Sequence, residues 1–141
     1  MKKQIIFIII LIPVVLLLYS CRMDVVDPII IESETNIPLQ DTRLNFVNYE
    51  LVAQDYTGST SIPLIFSVSR ARIHINLIGH SEGLVQLEIK NENLQTVFHT
   101  EMNDNYTSYI RNLSEPNLSR LFISHQNFTG KFKIQILAAI D

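Results

Sequence analysis

Isoleucine and valine dominate this chain where a helical protein would carry alanine: 21 Ile and 9 Val stand against 4 Ala in 141 residues. Two heavy atoms on Cβ stiffen χ1, lower helix propensity and pack well on a pleated surface, so the composition selects strands before any periodicity is counted. Alternation agrees. Val47, Tyr49, Leu51 and Ala53 share one face of an extended segment, with Asn48, Glu50 and Val52 between them. Ile62, Leu64, Phe66 and Val68 form a second set, and Ile73, Ile75 and Leu77 a third.

Turn residues divide the rest. Residues 73–78 are followed by Gly79-His80-Ser81-Glu82-Gly83 and then by Val85, Leu87 and Ile89 alternating with polar residues, which predicts a hairpin closed by a glycine-flanked loop. Polar turns at residues 91–93 and 103–105 bracket strands over 96–102 and 106–113. The adjacent Leu121, Phe122 and Ile123 within 118–124 fit either a two-sided buried strand or a short helix. Phe132, Ile134, Ile136, Ala138 and Ile140 alternate through the last element. The expectation is all-β: an antiparallel β-sandwich of about 7–9 short strands at roughly 8–12-residue spacing.

The beginning of the chain differs. Lys2 and Lys3 precede a run, residues 5–18, that is apolar except for Pro13. Its fourteen residues fall short of the roughly 20 that a helix needs to cross a bilayer and fit the roughly 7–15 of a secretory h-region, so this is read as a helical signal peptide. The lysine pair stays on the cytoplasmic side, and the chain beyond the apolar run is exported. Without the first twenty residues, 51 of 121 are hydrophobic, about 42%, which suits one soluble domain with one core. Polytopic membrane proteins and multi-domain enzymes are excluded.

The run ends Leu18-Tyr19-Ser20-Cys21, and here the chain resembles the bacterial lipoprotein family, whose lipobox closes a signal peptide with Leu, two mostly small residues and an obligatory Cys. Tyr19 is bulkier than the family's usual residue. The resemblance implies cleavage before Cys21, a diacylglyceryl thioether on its sulfur and acylation of its new amino group. Cys21 is also the single cysteine of the chain, so no intramolecular disulfide can form. Two or more acyl chains suffice for stable anchoring.

Charge shows the same division. Residues 21–60 hold two bases and seven acids, whereas residues 61–141 balance at seven each. No basic cluster exists to read nucleic acid, which is not an expected partner. Pro28 and Pro38 interrupt regular structure after Cys21, so residues 21–42 read as an acidic tether, with one edge strand around residues 29–31 as an option. At about 3.3 Å per residue such a tether reaches roughly 70 Å. The domain organisation is then 1–20 signal peptide, 21–42 tether and 43–141 β-sandwich.

Within that last part, Val85-Gln86-Leu87-Glu88-Ile89 with Val97-Phe98 after a polar turn, and the closing Phe128-Thr129-Gly130-Lys131-Phe132-Lys133-Ile134-Gln135-Ile136, resemble small immunoglobulin-like β-sandwich domains of exported Bacteroidetes proteins. The resemblance implies a fold and an envelope setting, not an activity.

Candidate chemistry is sparse. His74, His80, His99 and His125 stand alone in their elements with no close ligand pair; His80 with Glu82 is the nearest approach to one. Gly79-His80-Ser81-Glu82-Gly83 places Gly, Ser and Gly in the register of a nucleophile elbow, but it joins strands where the elbow needs a strand-to-helix turn. No metal, cofactor or catalytic residue is assigned, and the chain is not expected to be an enzyme. Asn105, Asn112, Asn117 and Asn127 each begin an Asn-x-Ser/Thr triplet and read as turn formers. Tyr106 and Tyr109 fall on opposite faces of one strand by simple alternation, and Tyr49 and Tyr56 flank another. The absence of Trp removes the best residue for stacking on sugars.

The expected function is a membrane-anchored lipoprotein of the bacterial cell envelope, held by acyl chains on Cys21 at the outer membrane and facing the periplasm or the surface. Its β-sandwich would serve protein–protein interaction or a structural role, with an envelope protein as partner. The alternative is a glycan or small-ligand binding module of an uptake system.

Overall fold

The computed structural model describes residues 34–114 and 117–139. Among these residues every regular element is a strand: β1 Leu39–Arg43, β2 Phe46–Pro63, β3 Ala71–Asn91, β4 Thr96–Met102, β5 Tyr106–Leu113 and β6 Leu118–Ala138. All pair antiparallel, in the order β1-β2-β6-β3-β4, with β5 joining the same edge of β3 as β4. The all-β antiparallel architecture expected from composition is what forms.

Three strands are unusually long because each passes through a bend. The β2–β6 register shifts between Ala53 and Gly58, and the β3–β6 register shifts between Ile78 and Leu84, at matching levels of β6. The turn between β4 and β5 lies at the same level, since β5 pairs β3 up to Leu77 and β4 pairs it from Val85. A line of irregularity therefore crosses the sheet and divides it into two halves. The inward residues of both halves, among them Tyr49, Ile73, Ile75, Phe132 and Ile134 on one side and Ile62, Leu87, Ile89, Leu121 and Ile123 on the other, form one buried cluster. One sheet folded over itself thus builds the sandwich. Bulges are the physical means, since an extra residue on one strand bends it and increases local twist.

This explains why the described residues form six strands where seven to nine shorter ones are expected. Residues 79–83 are no hairpin loop; β3 runs on through them and keeps β6 as its neighbour on both sides of the bend. Gly79 and Gly83 do adopt positive φ (64° and 87°), but to kink a strand, not to reverse it. A Cβ on Gly83 would clash with the Gln126 carbonyl oxygen, so the backbones touch there. The alternating segments around Val47 and Ile62 likewise merge in β2, which ends at Pro63. Phe66 and Val68, expected on a strand, lie in the β2–β3 connection.

Residues 118–124 are strand, with Leu121 and Ile123 buried and Phe122 turned outward. β1 begins at Leu39, and Thr35 bridges Val52, so ordered structure starts inside the stretch read as tether. The option of a strand at residues 29–31 lies outside the described residues.

The bend is pinned by side chains. Thr57 Oγ1 donates to Asn127 Oδ1 and accepts from the Asn127 N–H, both at 2.9 Å, while the Asp55 N–H donates to Thr129 Oγ1 at 2.9 Å. Asn127 holds φ at 48° and Asp55 at 49°, conformations that short polar residues tolerate best.

Candidate functional site

Cys21 and the lipobox residues Leu18, Tyr19 and Ser20 lie outside the described residues. The four histidines are placed but not brought together. His74 sits on the outer face of β3; His99 is exposed on β4, with Nε2 4.0 Å from Glu101. His80 sits at the bend, its ring nitrogen 3.0 Å from the Gly83 carbonyl and its backbone N–H donating to Asn105 Oδ1. His125 is buried among Tyr49, Tyr56, Phe128 and Phe132. Among the described residues no group of three or more His, Cys, Asp or Glu side chains is placed to hold a metal ion. Ser81 lies within β3, in no strand-to-helix turn.

Of the triplet asparagines read as turn formers, Asn105 and Asn117 lie in connections, whereas Asn112 and Asn127 lie within β5 and β6. Asn117 and Asn127 hold positive φ, Asn105 caps the bend through His80, and Asn112 accepts from Arg72 Nε at 3.1 Å. Two of the tyrosines read as flanking a strand are internal: Tyr49 is 1% exposed and Tyr56 packs against the core.

The surface that stands out is β5. Residues 106–112 are all exposed, on both faces of the strand, and only Leu113 is buried. One edge of β5 pairs with β3; no described strand pairs with the other. Tyr109 lies opposite Ile75 and Tyr106 opposite Leu77, three steps on β5 against two on β3, with Ser108 at φ 59° and its N–H bonded to Asn76 Oδ1 at 2.8 Å. This bulge corrects the simple alternation. Ile75 and Leu77 share a face, so Tyr106 and Tyr109 share it too, although successive odd-and-even numbering put them on opposite faces. Ile110 and Ile78, each 54% exposed, add apolar surface nearby.

Its electrostatics are one-sided. Arg111 is the single charged residue of β5, and Arg72 lies opposite Asn112 on β3; neither has an ion-pair partner among the described residues. By contrast β1, the short edge strand at the other side, carries its own Arg43–Asp41 pair at 2.8 Å. β5 has neither Lys nor Pro, residues that commonly blunt an edge. The sequence showed the strand, but not its exposure, because seven consecutive positions of mixed polarity look the same whether or not an opposing layer covers them.

No family model and no curated protein matches the chain. Among solved structures it is similar to the Glycosylation Associate Protein (Gap123) complex from Streptococcus agalactiae, with 15% sequence identity and a TM-score of 0.33 over 74% of this chain and 40% of that one. The match thus spans less than half of that chain's length.

Proposed function

We propose that this chain is a non-enzymatic, lipid-anchored protein of the bacterial cell envelope, held at the outer membrane through Cys21, whose β-sandwich receives an extended segment of an envelope protein along β5. The observation that supports the docking mode is the free edge of β5, exposed on both faces and carrying Tyr106 and Tyr109 on one of them. Backbone groups of an unpaired edge add a strand readily, while alternate side chains supply specificity. Tyrosines give broad contact area at low entropic cost. Arg72 and Arg111, which lack ion-pair partners among the described residues, suit a segment bearing an acidic residue.

The anchor reading rests on the lipobox and the apolar run before it. Because Thr35 already bridges Val52, no more than residues 22–34 are left to act as a tether, about 45 Å if fully extended.

The test uses the full-length chain in cells. Cys21→Ala should abolish acyl labelling and release the protein from membranes. A photo-crosslinking residue at Ile110 should give one adduct of defined mass, lost when Tyr106 and Tyr109 are both changed to Ser, whereas the same residue at exposed Leu44 beside β1 should give none. Equal adducts at both positions, or an Ile110 adduct insensitive to the tyrosines, would reject the docking mode; unchanged fractionation would reject the anchor.

A further inference from the structure

The other half of the sheet carries a concavity on its outer face, of about 450 Å3, with Phe122 in its lining. Its walls arise from register. Ser61 pairs with Phe122, Phe122 with Glu88 and Glu88 with His99, which sets these four side chains in one row across β2, β6, β3 and β4. The next row brings Ser124 beside Gln86. Buried Leu87 and Ile123, between the rows, point into the core, so the floor is rigid backbone.

The chemistry of this cup is an aromatic face framed by hydroxyls and an amide. The charged side chains around it balance in number, Glu88 and Glu101 against Lys90 and Arg120: Glu88 pairs with Lys90 at 3.4 Å and accepts from the Thr96 hydroxyl, while Glu101 accepts from Gln86 Nε2 at 2.7 Å. Lys90 Nζ stands 5.2 Å from the Phe122 ring centre and covers one face of the ring, so a sugar can stack only on the opposite face. Arg120 Nη1 donates to Ser61 Oγ at 3.3 Å. No sign of charge is left in excess to select a phosphate or an ammonium group. The volume lies within the roughly 300–1,000 Å3 of ordinary small-molecule sites.

We propose that this cup binds a neutral saccharide, with a sugar ring stacked on Phe122 and its hydroxyls bonded to Ser61, Ser124, Gln86 and the Glu88 carboxylate. Hydroxyls both donate and accept, which matches a wall that mixes serines, an amide and a carboxylate. Phenylalanine offers less face than tryptophan, and the site is open, so the binding is weak, with Kd on the order of 1 mM. The cup lies in the half of the sheet formed by β4 and the distal parts of β2, β3 and β6, whereas β5 belongs to the other half; the two sites are independent.

Two-dimensional amide NMR of the full chain in detergent, titrated with neutral hexasaccharides of glucose, mannose, xylose and N-acetylglucosamine, tests it. At least one should shift the Phe122, Ser124 and Gln86 amides progressively, and Phe122→Ala should weaken that binding at least tenfold while leaving the spectrum of distant residues intact. Gln86→Ala should weaken it with Phe122 in place. If none of the four shifts those amides at about 10 mM, if Phe122→Ala binds unchanged, or if polygalacturonate binds more tightly than the neutral sugars, the assignment is wrong.

Discussion

The Tyr49 ring stacks on the His125 ring at the bend of the sheet, with centroids 6.1 Å apart and planes 24° from parallel. Tyr49 belongs to one half, opposite Ile134, and His125 to the other, opposite Gly58 and Val85, so the pair joins the two halves. Both carry a buried polar atom without a hydrogen-bond partner, Tyr49 Oη and His125 Nε2. Burial, with a smaller effect of Tyr56 opposed by nearby Thr60, pushes the Tyr49 hydroxyl up to about 12, and burial pushes His125 down to about 4.

His125 makes stability depend on pH. The unfolded chain takes up the imidazole proton near 6.5 and the folded chain only near 4, so between those values the unfolded state binds more protons and stability rises with pH. That interval corresponds to about 3 kcal/mol, fully present above pH 6.5 and lost as pH falls to 4. Urea unfolding at pH 7 and pH 4.5 should show the loss, and His125→Phe should remove most of the difference. Equal pH dependence in both proteins would mean that another group carries it.

Legibility in the sequence depends on the range of the interactions. Residues 96–102 and 106–113 are recognisable as β4 and β5 because polar turns flank them locally. The kink at residues 79–83 mimics a hairpin because glycines at positive φ signal irregular backbone without saying whether the chain reverses; that is decided by pairing with distant β6, where Glu82 lies opposite Thr129. Parity fails at Tyr106 and Tyr109 for a related reason, since a left-handed Ser108 adds a step that no alternation count contains. Phe122 is visible within an apolar triplet, but its outward direction, and its place beside Ser61, Gln86 and Glu88, arise from register between strands distant in sequence.

Gly79 and Gly83 should respond differently to alanine. A Cβ on Gly79 meets nothing within 4 Å, so Gly79→Ala carries only the left-handed backbone penalty of about 1–2 kcal/mol. At Gly83 the same penalty is joined by the clash with the Gln126 and Asn127 backbone, which must separate β3 from β6 at the bend. Gly83→Ala should cost more than about 3 kcal/mol or prevent folding. Thermal unfolding of the pair decides it, and equal melting temperatures would contradict the close approach.

Glu50 lies on the outer face of β2 between Lys131 at 3.1 Å and Lys133 at 3.4 Å. Burial raises its pKa, but the hydrogen bond from Lys131 and the charges of Lys133 and Lys131 outweigh that, and the carboxyl sits below its ordinary value. A depressed carboxylate stabilises above its unfolded pKa and loses the contribution as pH falls through the folded one. Glu50→Gln should therefore cost about 1 kcal/mol at neutral pH, less in molar salt, and nothing at about pH 2. A cost independent of pH would assign the effect to packing.

Thr57 links the two strands that fold over together. Its hydroxyl both donates to Asn127 Oδ1 and accepts from the Asn127 N–H, which leaves Asn127 held in its left-handed conformation from two directions. Thr57→Val keeps the shape and removes both bonds, at about 1 kcal/mol each. Thr57→Ser keeps the hydroxyl and should recover most of that loss. Hydrogen exchange separates a local effect from a global one: in Thr57→Val the Asn127 amide should exchange much faster while amides of Ile75 and Ile134 keep their protection relative to global stability. If all amides change in step, the bonds stabilise the whole sandwich and do not pin the bend as such.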